Sequence, residues 1–337
     1  MGILSKICFR TILGLAVVCF ITTSIFAHPG SGIAVDRLGQ IFFLDTGSGT
    51  WKIDAQGRLT HLSPLRYHWL AIDPSDGFAS GRLPTDSTGD WVITKAGSNP
   101  TVLISSDFPI AIGPDGNLYY PSVRSGPTRI LRATPSGDIT TFATLPNAVS
   151  GRALPHINGL AAGPDRSIYY AEDSAVRRIT ANGKVSTIAT VSALANGPSI
   201  PGTELNPYLR GLSIDPKGVV YVAENSGARV LKITPNGTVT TLLQLESPWA
   251  PTAVALYGDI LYVLEFLHTP GDDRTTWMPR IRKMTLSDRK STIILTVDQM
   301  PGARPKTVPP AARSGIDSLI NLEFLNPFLS TPFQRMG

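Results

Sequence analysis

One pattern of apolar and polar residues recurs along the chain and predicts pairs of strands. An apolar run leads into a short turn containing Pro, Asp or Gly, and a second run rich in β-branched and aromatic residues follows. The pattern is clearest in IAIGPDGNLYY (110–120), LAAGPDRSIYY (160–170) and LSIDPKGVVYV (212–222). Degenerate copies are IAVDRLGQIFF (33–43) and AVALYGDILYV (253–263). Two such runs around a tight turn predict an antiparallel hairpin.

A second pattern follows each hairpin and completes a four-stranded unit. It alternates Lys or Arg with apolar residues, turns at a glycine and then alternates Thr with apolar residues, as in ILRATPSGDITTF (130–142) and VLKITPNGTVTTL (230–242). Two hairpins make four antiparallel strands, which form one blade of a β-propeller. Repetition at this period predicts an all-β fold, a six-bladed β-propeller of four-stranded antiparallel blades, over residues 28–297.

The blades align on one apolar position near the start of each inner strand. These positions are Ile33, Leu70, Ile110, Leu160, Leu212 and Ala253. The second blade has the weakest pattern, because HWLAIDP (68–74) is followed by a Gly- and Asp-rich stretch before DWVITKAGSNPTVLI (90–104).

The two ends of the chain do not show the blade pattern. Residues 1–27 resemble a secretory signal, with Lys6 and Arg10 before an apolar run and a cleavage position after Ala27. We therefore expect an exported, periplasmic or extracellular protein with no membrane span in the mature chain. Residues 298–337 form a Pro-rich tail that either braces the ring or is free.

Charge and cysteine content narrow the possible partners. The net charge of +5 falls to +3 when Lys6 and Arg10 leave with the signal (5 − 2), which is too mild to indicate nucleic acid. Both cysteines, Cys8 and Cys19, also leave with the signal, so no disulfide is expected. The expected partner is a small molecule or a protein.

The long connections are predicted to gather on one face of the ring, the top face, where the inner strands begin. They are 81–90, 145–157, 192–210 and 266–279. Loops gathered on one face of a repeat protein usually mark its binding face. The predicted ligand-binding residues around this end of the channel are His68, Trp69, His156, Asn158, Tyr208, Arg210 and Trp249.

A set of acidic residues ends the second strand of most blades. Its members are Asp45, Glu172, Glu224 and Glu265. Because they recur at one repeat position, their simplest role is to accept backbone N–H groups in the following turn. No nucleophile is legible, so no catalytic residue is predicted.

The repeated phrases resemble NHL-repeat propellers and the related regucalcin, gluconolactonase and strictosidine-synthase-like propellers. The sharpest local match is HINGLAAGPDRSIYYAEDS (156–174), and the resemblance implies that Asn158 binds a catalytic divalent metal that polarises a lactone carbonyl. The other implied ligand positions hold Ser31, Phe108 and Arg210, which differ from the family. A relocated calcium, zinc or manganese site would use Asn158, Glu172, Glu224 and Glu265.

Three functions follow as hypotheses. The first is a binding propeller in which Arg210 holds an anionic or carbonyl-bearing molecule, since a planar donor fork suits a carboxylate or phosphate. The alternative interpretation of Arg210 is an ion pair with Glu172 or Glu224. The second function is a metal-dependent hydrolase of lactones or esters, and the third is a lyase of the streptogramin-lyase type.

Overall fold

The computed structural model describes residues 30–122, 127–148, 156–192, 207–246, 248–267, 278–296 and 299–300. The predicted signal peptide and nearly all of the predicted tail lie outside these residues. Every named element in the described part is a strand, so the all-β prediction is confirmed. Within the same residues, no helix has the length and apolar character needed to cross a membrane.

Six antiparallel sheets form the blades, as predicted, and five of them have four consecutive strands. Blade one contains β1 (Ile33–Val35), β2 (Ile41–Asp45), β3 (Gly49–Ile53) and β4 (Leu59–Ser63). Blade three contains β8 (Ala111–Ile112), β9 (Leu118–Pro121), β10 (Arg129–Ala133) and β11 (Ile139–Thr144). Blade four contains β12 (Ile157–Ala162), β13 (Ile168–Glu172), β14 (Ala175–Ile179) and β15 (Val185–Thr190).

The last two blades have the same order. Blade five contains β16 (Leu209–Ile214), β17 (Val220–Glu224), β18 (Arg229–Ile233) and β19 (Val239–Gln244). Blade six contains β20 (Trp249–Tyr257), β21 (Ile260–Leu267), β22 (Met278–Thr285) and β23 (Ser291–Thr296). The turns between first and second strands, and between third and fourth strands, are short in all five blades, which confirms that the bottom face carries the short turns.

Blade two differs from the predicted four-stranded pattern. It has three strands, β5 (Trp69–Asp73), β6 (Ile93–Gly97) and β7 (Thr101–Ser105), in the order β5-β7-β6. The hairpin of β6 and β7 lies beside the inner strand, so β7 pairs directly with β5. The Gly- and Asp-rich stretch supplies no second strand to fill that position.

The loop at 81–90 corrects a second expectation. It was predicted as a top-face loop, but β5 ends at the bottom and β6 begins at the top, so the segment between them must cross the height of the blade. Near the bottom, the backbone N–H of Arg82 donates to the carbonyl of Pro135 at 3.0 Å, in a short turn of blade three. Phe78 in this segment is fully buried and packs in the core between blades two and three.

The inner strands enclose a central cavity of about 40 Å³. Its lining includes all six apolar positions on which the sequence aligns the blades: Ile33, Leu70, Ile110, Leu160, Leu212 and Ala253. The alignment from sequence is therefore confirmed blade by blade. A space of this size holds about three water molecules, since each needs roughly 10–15 Å³. A larger ligand does not fit inside this cavity.

The ring closes by side-chain packing between blades one and six. Phe43 and Trp51 of blade one share a buried cluster with Leu264 and Phe266 of blade six. Met300, at the start of the predicted tail, is buried in the same cluster. Each blade consists of strands consecutive in the described chain, so this apolar contact joins the two ends of the ring.

Candidate functional site

The mouth of the channel is surrounded by the residues two positions before the aligned apolar residues. These are Ser31, His68, Phe108, Asn158, Arg210 and Pro251. In blades four to six the pairing of the first two strands shifts here, between Ile157 and Gly159, Leu209 and Leu212, and Pro251 and Ala253. Such β-bulges re-aim side chains and are common beside functional sites. The bulges therefore place Asn158 and Arg210 outside the regular alternation of their strands.

Close contact between the inner strands at this level depends on glycine. A Cβ atom at Gly159 would meet the carbonyl oxygen of Arg210 well inside contact distance. The carbonyl oxygen belongs to the backbone, which cannot turn away as a side chain does. Gly159 therefore allows blade four to support the backbone that carries Arg210.

Arg210 reaches from blade five across the mouth to blade one. Its Nε donates to the Ser31 hydroxyl at 2.9 Å, and its guanidinium carbon lies 5.7 Å from the centre of the Tyr208 ring. Arg210 is only 4% exposed, and this burial lowers the pKa of its guanidinium, an effect that Tyr208 partly opposes. The group remains a cation at neutral pH because the arginine pKa lies far above 7.

A chain of polar contacts leads from Tyr208 outward to solvent. The Tyr208 hydroxyl donates to Asn158 Oδ1 at 3.4 Å, and Asn158 Nδ2 donates to Asp173 Oδ1 at 3.3 Å. The same Asp173 oxygen lies 3.3 Å from His156 Nδ1. The His156 side chain is 53% exposed, whereas Asn158 is buried. The structure thus brings together four of the predicted residues, His156, Asn158, Tyr208 and Arg210.

Asp173 was not predicted from the sequence, although it connects two site residues. Its backbone carbonyl also accepts the N–H of Leu209 at 2.8 Å, next to Arg210 in the chain. The equivalent residue of blade five is Asn225, whose side chain donates to the Pro251 carbonyl at 3.2 Å. The sequence contained one signal for Asp173. Its position holds a carboxylate, whereas the equivalent position of the neighbouring blade holds the amide of Asn225.

His68 and Trp69 lie on another side of the mouth. His68 Nδ1 is 2.7 Å from the carbonyl of Ser106, and its ring meets Trp69 edge-on at 5.3 Å. The carbonyl of His68 accepts the backbone N–H of Ser31 at 2.8 Å, which ties blade two to blade one. Both aromatic side chains are buried, and Trp69 lines the central cavity.

The acidic residues at the strand ends are paired with arginines of their own blades. Glu172 accepts from Arg177 at 2.7 Å, and Glu224 accepts from Arg229 at 2.8 Å. Each of these arginines also donates to a carbonyl that follows the preceding blade, Arg177 to Asn147 and Arg229 to Ser192. The pairs therefore join neighbouring blades.

Glu265 and Asp45 complete this set of acidic residues in different ways. Glu265 is bound by both Arg280 and Arg282, and Trp249 covers Arg280 with its ring centre 3.9 Å from the guanidinium carbon. The predicted ligand-binding Trp249 thus packs on a structural arginine. Asp45 accepts the backbone N–H of Gly47 at 3.2 Å, and Glu224 accepts that of Gly227 at 3.0 Å, so the predicted turn role is confirmed for both.

The residues present do not fit the divalent metal that the resemblance implies. Glu172, Glu224 and Glu265 direct their carboxylates at guanidinium groups, which compete with any cation. Arg210 places a further positive charge at the mouth, and one about 5 Å from a divalent ion would oppose it by roughly 6–7 kcal/mol at an effective dielectric constant near 20. In the described ranges, no three His, Cys, Asp or Glu residues are grouped so as to hold a metal.

The fold and site define a six-bladed propeller with a polar, arginine-containing mouth. Residues 149–265 match the family described as SMP-30/Gluconolactonase/LRE-like region, which confirms the predicted resemblance over blades four, five and the first half of blade six. The matched region contains Asn158, Asp173, Tyr208 and Arg210. No curated protein matches the sequence.

Several solved structures are similar at low identity. Virginiamycin B lyase from Staphylococcus aureus is 18% identical, with 79% of this chain and 83% of that chain covered and a TM-score of 0.44. Regucalcin, a calcium-binding protein from Agrobacterium tumefaciens, is 17% identical, with 73% and 84% covered and a TM-score of 0.48. A gluconolactonase from Xanthomonas campestris is 13% identical, with 69% and 81% covered and a TM-score of 0.46.

Proposed function

We propose that this protein binds a small molecule through a carboxylate held by Arg210 at the top of the channel. The observation that carries the proposal is the position of Arg210, a buried cation that crosses the mouth from blade five to the Ser31 hydroxyl. A planar fork of N–H donors matches the two oxygens of a carboxylate.

Uncharged polar groups beside Arg210 could bind other parts of the ligand. Asn158 and Tyr208 form a neutral hydrogen-bonding pair beside the arginine, suited to a hydroxyl or carbonyl of the ligand. His156 lies at the solvent end of the same chain of contacts. The secretory pattern of residues 1–27 favours a role outside the cytoplasm.

Paired acids and amides test this proposal. We expect propionate to bind the protein at least tenfold more tightly than propionamide, because only the acid carries the charge that Arg210 binds. Protein-observed NMR titration measures both affinities and identifies the resonances that shift. Equal affinity for the two compounds, or shifts confined to the bottom turns, would refute a carboxylate site at the mouth.

A lactone hydrolase is the second candidate, supported by the match of residues 149–265 to the gluconolactonase-containing family. His156 is the candidate base. An ionised Asp173 accepts a hydrogen bond from His156 Nδ1–H, which leaves the lone pair on Nε2 to take a proton from water. The resulting hydroxide would attack the lactone carbonyl, the ring C–O bond would break and the departing oxygen would take up a proton.

Lactone hydrolysis can be followed by acid release. If the protein is a hydrolase, glucono-δ-lactone will open faster than in buffer, and His156→Gln will reduce the rate at least 100-fold, within the usual range for loss of a general base. Rates in chelator and in added calcium, zinc or manganese show whether a metal takes part. If the rate equals that in buffer under every condition, the hydrolase function is refuted and only the binding function remains.

A further inference from the structure

Blades five and six share a buried ion pair between the end of the second strand and the third strand. In blade five, Glu224 faces Arg229 across the two strands and accepts a hydrogen bond from its Nε at 2.8 Å. In blade six, Glu265 faces Arg280 in the same way and is also paired with it. An acid and an arginine therefore form a repeated unit at the top of the blade.

In blade three the arginine of this unit is present, but the acid is replaced by Ser122. The backbone N–H of Ser122 donates to the carbonyl of Arg129 at 2.7 Å, which continues the pairing of β9 with β10 by one residue. This is the register in which Glu224 faces Arg229 in blade five. Side chains that face each other in neighbouring strands lie on the same side of the sheet. Ser122 therefore stands where a glutamate would reach the Arg129 guanidinium.

The Nε atom of Arg129 lacks the acceptor that its equivalents have. This atom is buried, and no residue in the described part of the chain accepts a hydrogen bond from it. Residues 123–126 (VRSG), which follow Ser122, contain no Asp or Glu. The arginine as a whole is partly exposed, so a small molecule can approach its side chain from solvent. Because a buried charged donor without an acceptor is unfavourable, an acceptor that binds here would stabilise the protein.

The neighbouring blade two departs from the repeat at the same junction. In blade five, Arg229 Nη2 also donates to the carbonyl of Ser192, which follows the outer strand of blade four. Blade three follows blade two, which the chain leaves from the middle strand β7 and not from the outer strand β6. The segment that corresponds to Ser192 therefore starts one strand nearer the channel. A missing strand in blade two and a missing acid in blade three thus lie side by side.

We propose that Arg129 and Ser122 bind the carboxylate of an aliphatic acid, which takes the place of the glutamate found in blades five and six. The serine side chain ends at the γ position, whereas a glutamate carboxylate begins at the δ position, so a small carboxylate can lie beyond Ser122. The Ser122 hydroxyl can donate a second hydrogen bond to this carboxylate. The site uses a different arginine from the proposed function and goes beyond it.

The Nε–Hε group of Arg129 reports directly on binding. In NMR titrations of the wild-type protein, we expect acetate to shift the Arg129 Nε–Hε resonance, which is assigned by its absence in Arg129→Met. If that variant does not fold, Arg129→Lys serves for the assignment. Acetamide, which carries no charge, should cause no shift at the same concentration. The acetate shift should persist in Arg210→Gln, which separates this site from the mouth of the channel.

A second probe identifies the source of the carboxylate. Nα-acetylglutamate amide carries the carboxylate of a glutamate side chain within a short stretch of peptide. Tighter binding of this compound than of acetate assigns the site to an acidic side chain of a partner protein. Tighter binding of acetate assigns it to a small free acid.

Substitution of Ser122 tests the same position from within the chain. Ser122→Glu should restore the ion pair, raise the melting temperature by at least about 2 °C and weaken acetate binding at Arg129 at least about tenfold. Ser122→Gln is the matched control, because it fills the same space without a charge and should give a smaller rise. Ser122→Ala leaves the space open and should still bind acetate.

Arginine variants in two blades compare the site with its paired equivalent. Arg129→Met removes a buried charge that has no acidic partner, so the melting temperature should not fall. Arg229→Met leaves Glu224 buried without its cation and should lower the melting temperature.

The contradicting outcomes are distinct. If acetate does not shift the Arg129 Nε–Hε resonance, or shifts it equally in Ser122→Glu, there is no carboxylate site at this place. If Ser122→Glu is no more stable than Ser122→Gln, a carboxylate at position 122 does not reach Arg129 and the equivalence with blade five is wrong. If Arg210→Gln abolishes the shift, acetate binds at the mouth of the channel, so this inference fails and the proposed function stands.

Discussion

Replacement of Glu224 by glutamine is expected to lower the free energy of unfolding by about 3–5 kcal/mol, the usual cost of breaking a buried ion pair. Glu224 and Arg229 are both nearly fully buried, and their atoms are 2.8 Å apart. Glutamine has almost the same shape and can still accept the N–H of Gly227, so the main loss is the negative charge. The Arg229 guanidinium is then left as a buried cation whose partner is neutral.

Urea unfolding of the folded variant measures this effect, and two further variants control for it. Lys290→Ala breaks an exposed pair with Asp288 and should leave the unfolding midpoint unchanged, because such pairs contribute little. Glu224→Gln combined with Arg229→Met removes both charges and should recover part of the lost stability. If Glu224→Gln lowers the free energy of unfolding no more than Lys290→Ala does, the Glu224–Arg229 pair does not stabilise the junction between the blades.

Replacement of Arg210 by glutamine should weaken the binding of small carboxylates by about 100-fold. That factor corresponds to about 2.8 kcal/mol at roughly 1.4 kcal/mol per tenfold, within the range for losing charged hydrogen bonds to one group. Glutamine can still donate to Ser31, so the local contact survives and the charge does not. Propionamide, which carries no charge, should bind the variant and the wild-type protein alike.

Two arginine variants make this result specific. Arg210→Lys keeps the charge without the planar fork and should retain part of the affinity, because lysine acts as a point charge. Arg178→Gln removes an arginine that pairs with Asp165 in a bottom turn and should have no effect on binding. Unchanged carboxylate affinity in Arg210→Gln would exclude this residue from the site.

The sequence predicted the ring of blades well because each blade repeats the same local pattern of apolar and turn residues. The apolar positions from Ile33 to Ala253 were aligned from turn residues alone, and all six line the cavity. The strand order of blade two could not be predicted, because β7 pairs with β5, a strand distant in sequence, in the place of a missing second strand. Local sequence patterns identify strands, but they do not determine which strands pair when one strand of a blade is absent.

The sequence predicted which residues surround the mouth but not their partners, and ligand binding by these residues stays a prediction. The repeat position that located Asn158 and Arg210 carries no information on side-chain direction, which the bulges determine. The partners of Glu172 and Glu224 had a signal, since an arginine follows each glutamate by five residues in EDSAVR and ENSGAR. Asp173 was not predicted, because it does not belong to the repeated set of acidic residues and the equivalent position of blade five holds Asn225.

A crystal structure of the protein with propionate would test the central claim most directly. We expect the carboxylate to lie about 2.7–2.9 Å from the Arg210 guanidinium nitrogens, the usual length of a charged hydrogen bond. The same experiment on Arg210→Gln should show no ligand at the mouth. Propionate bound away from Arg210 in the wild-type protein, or bound equally well at the mouth of the variant, would contradict the account.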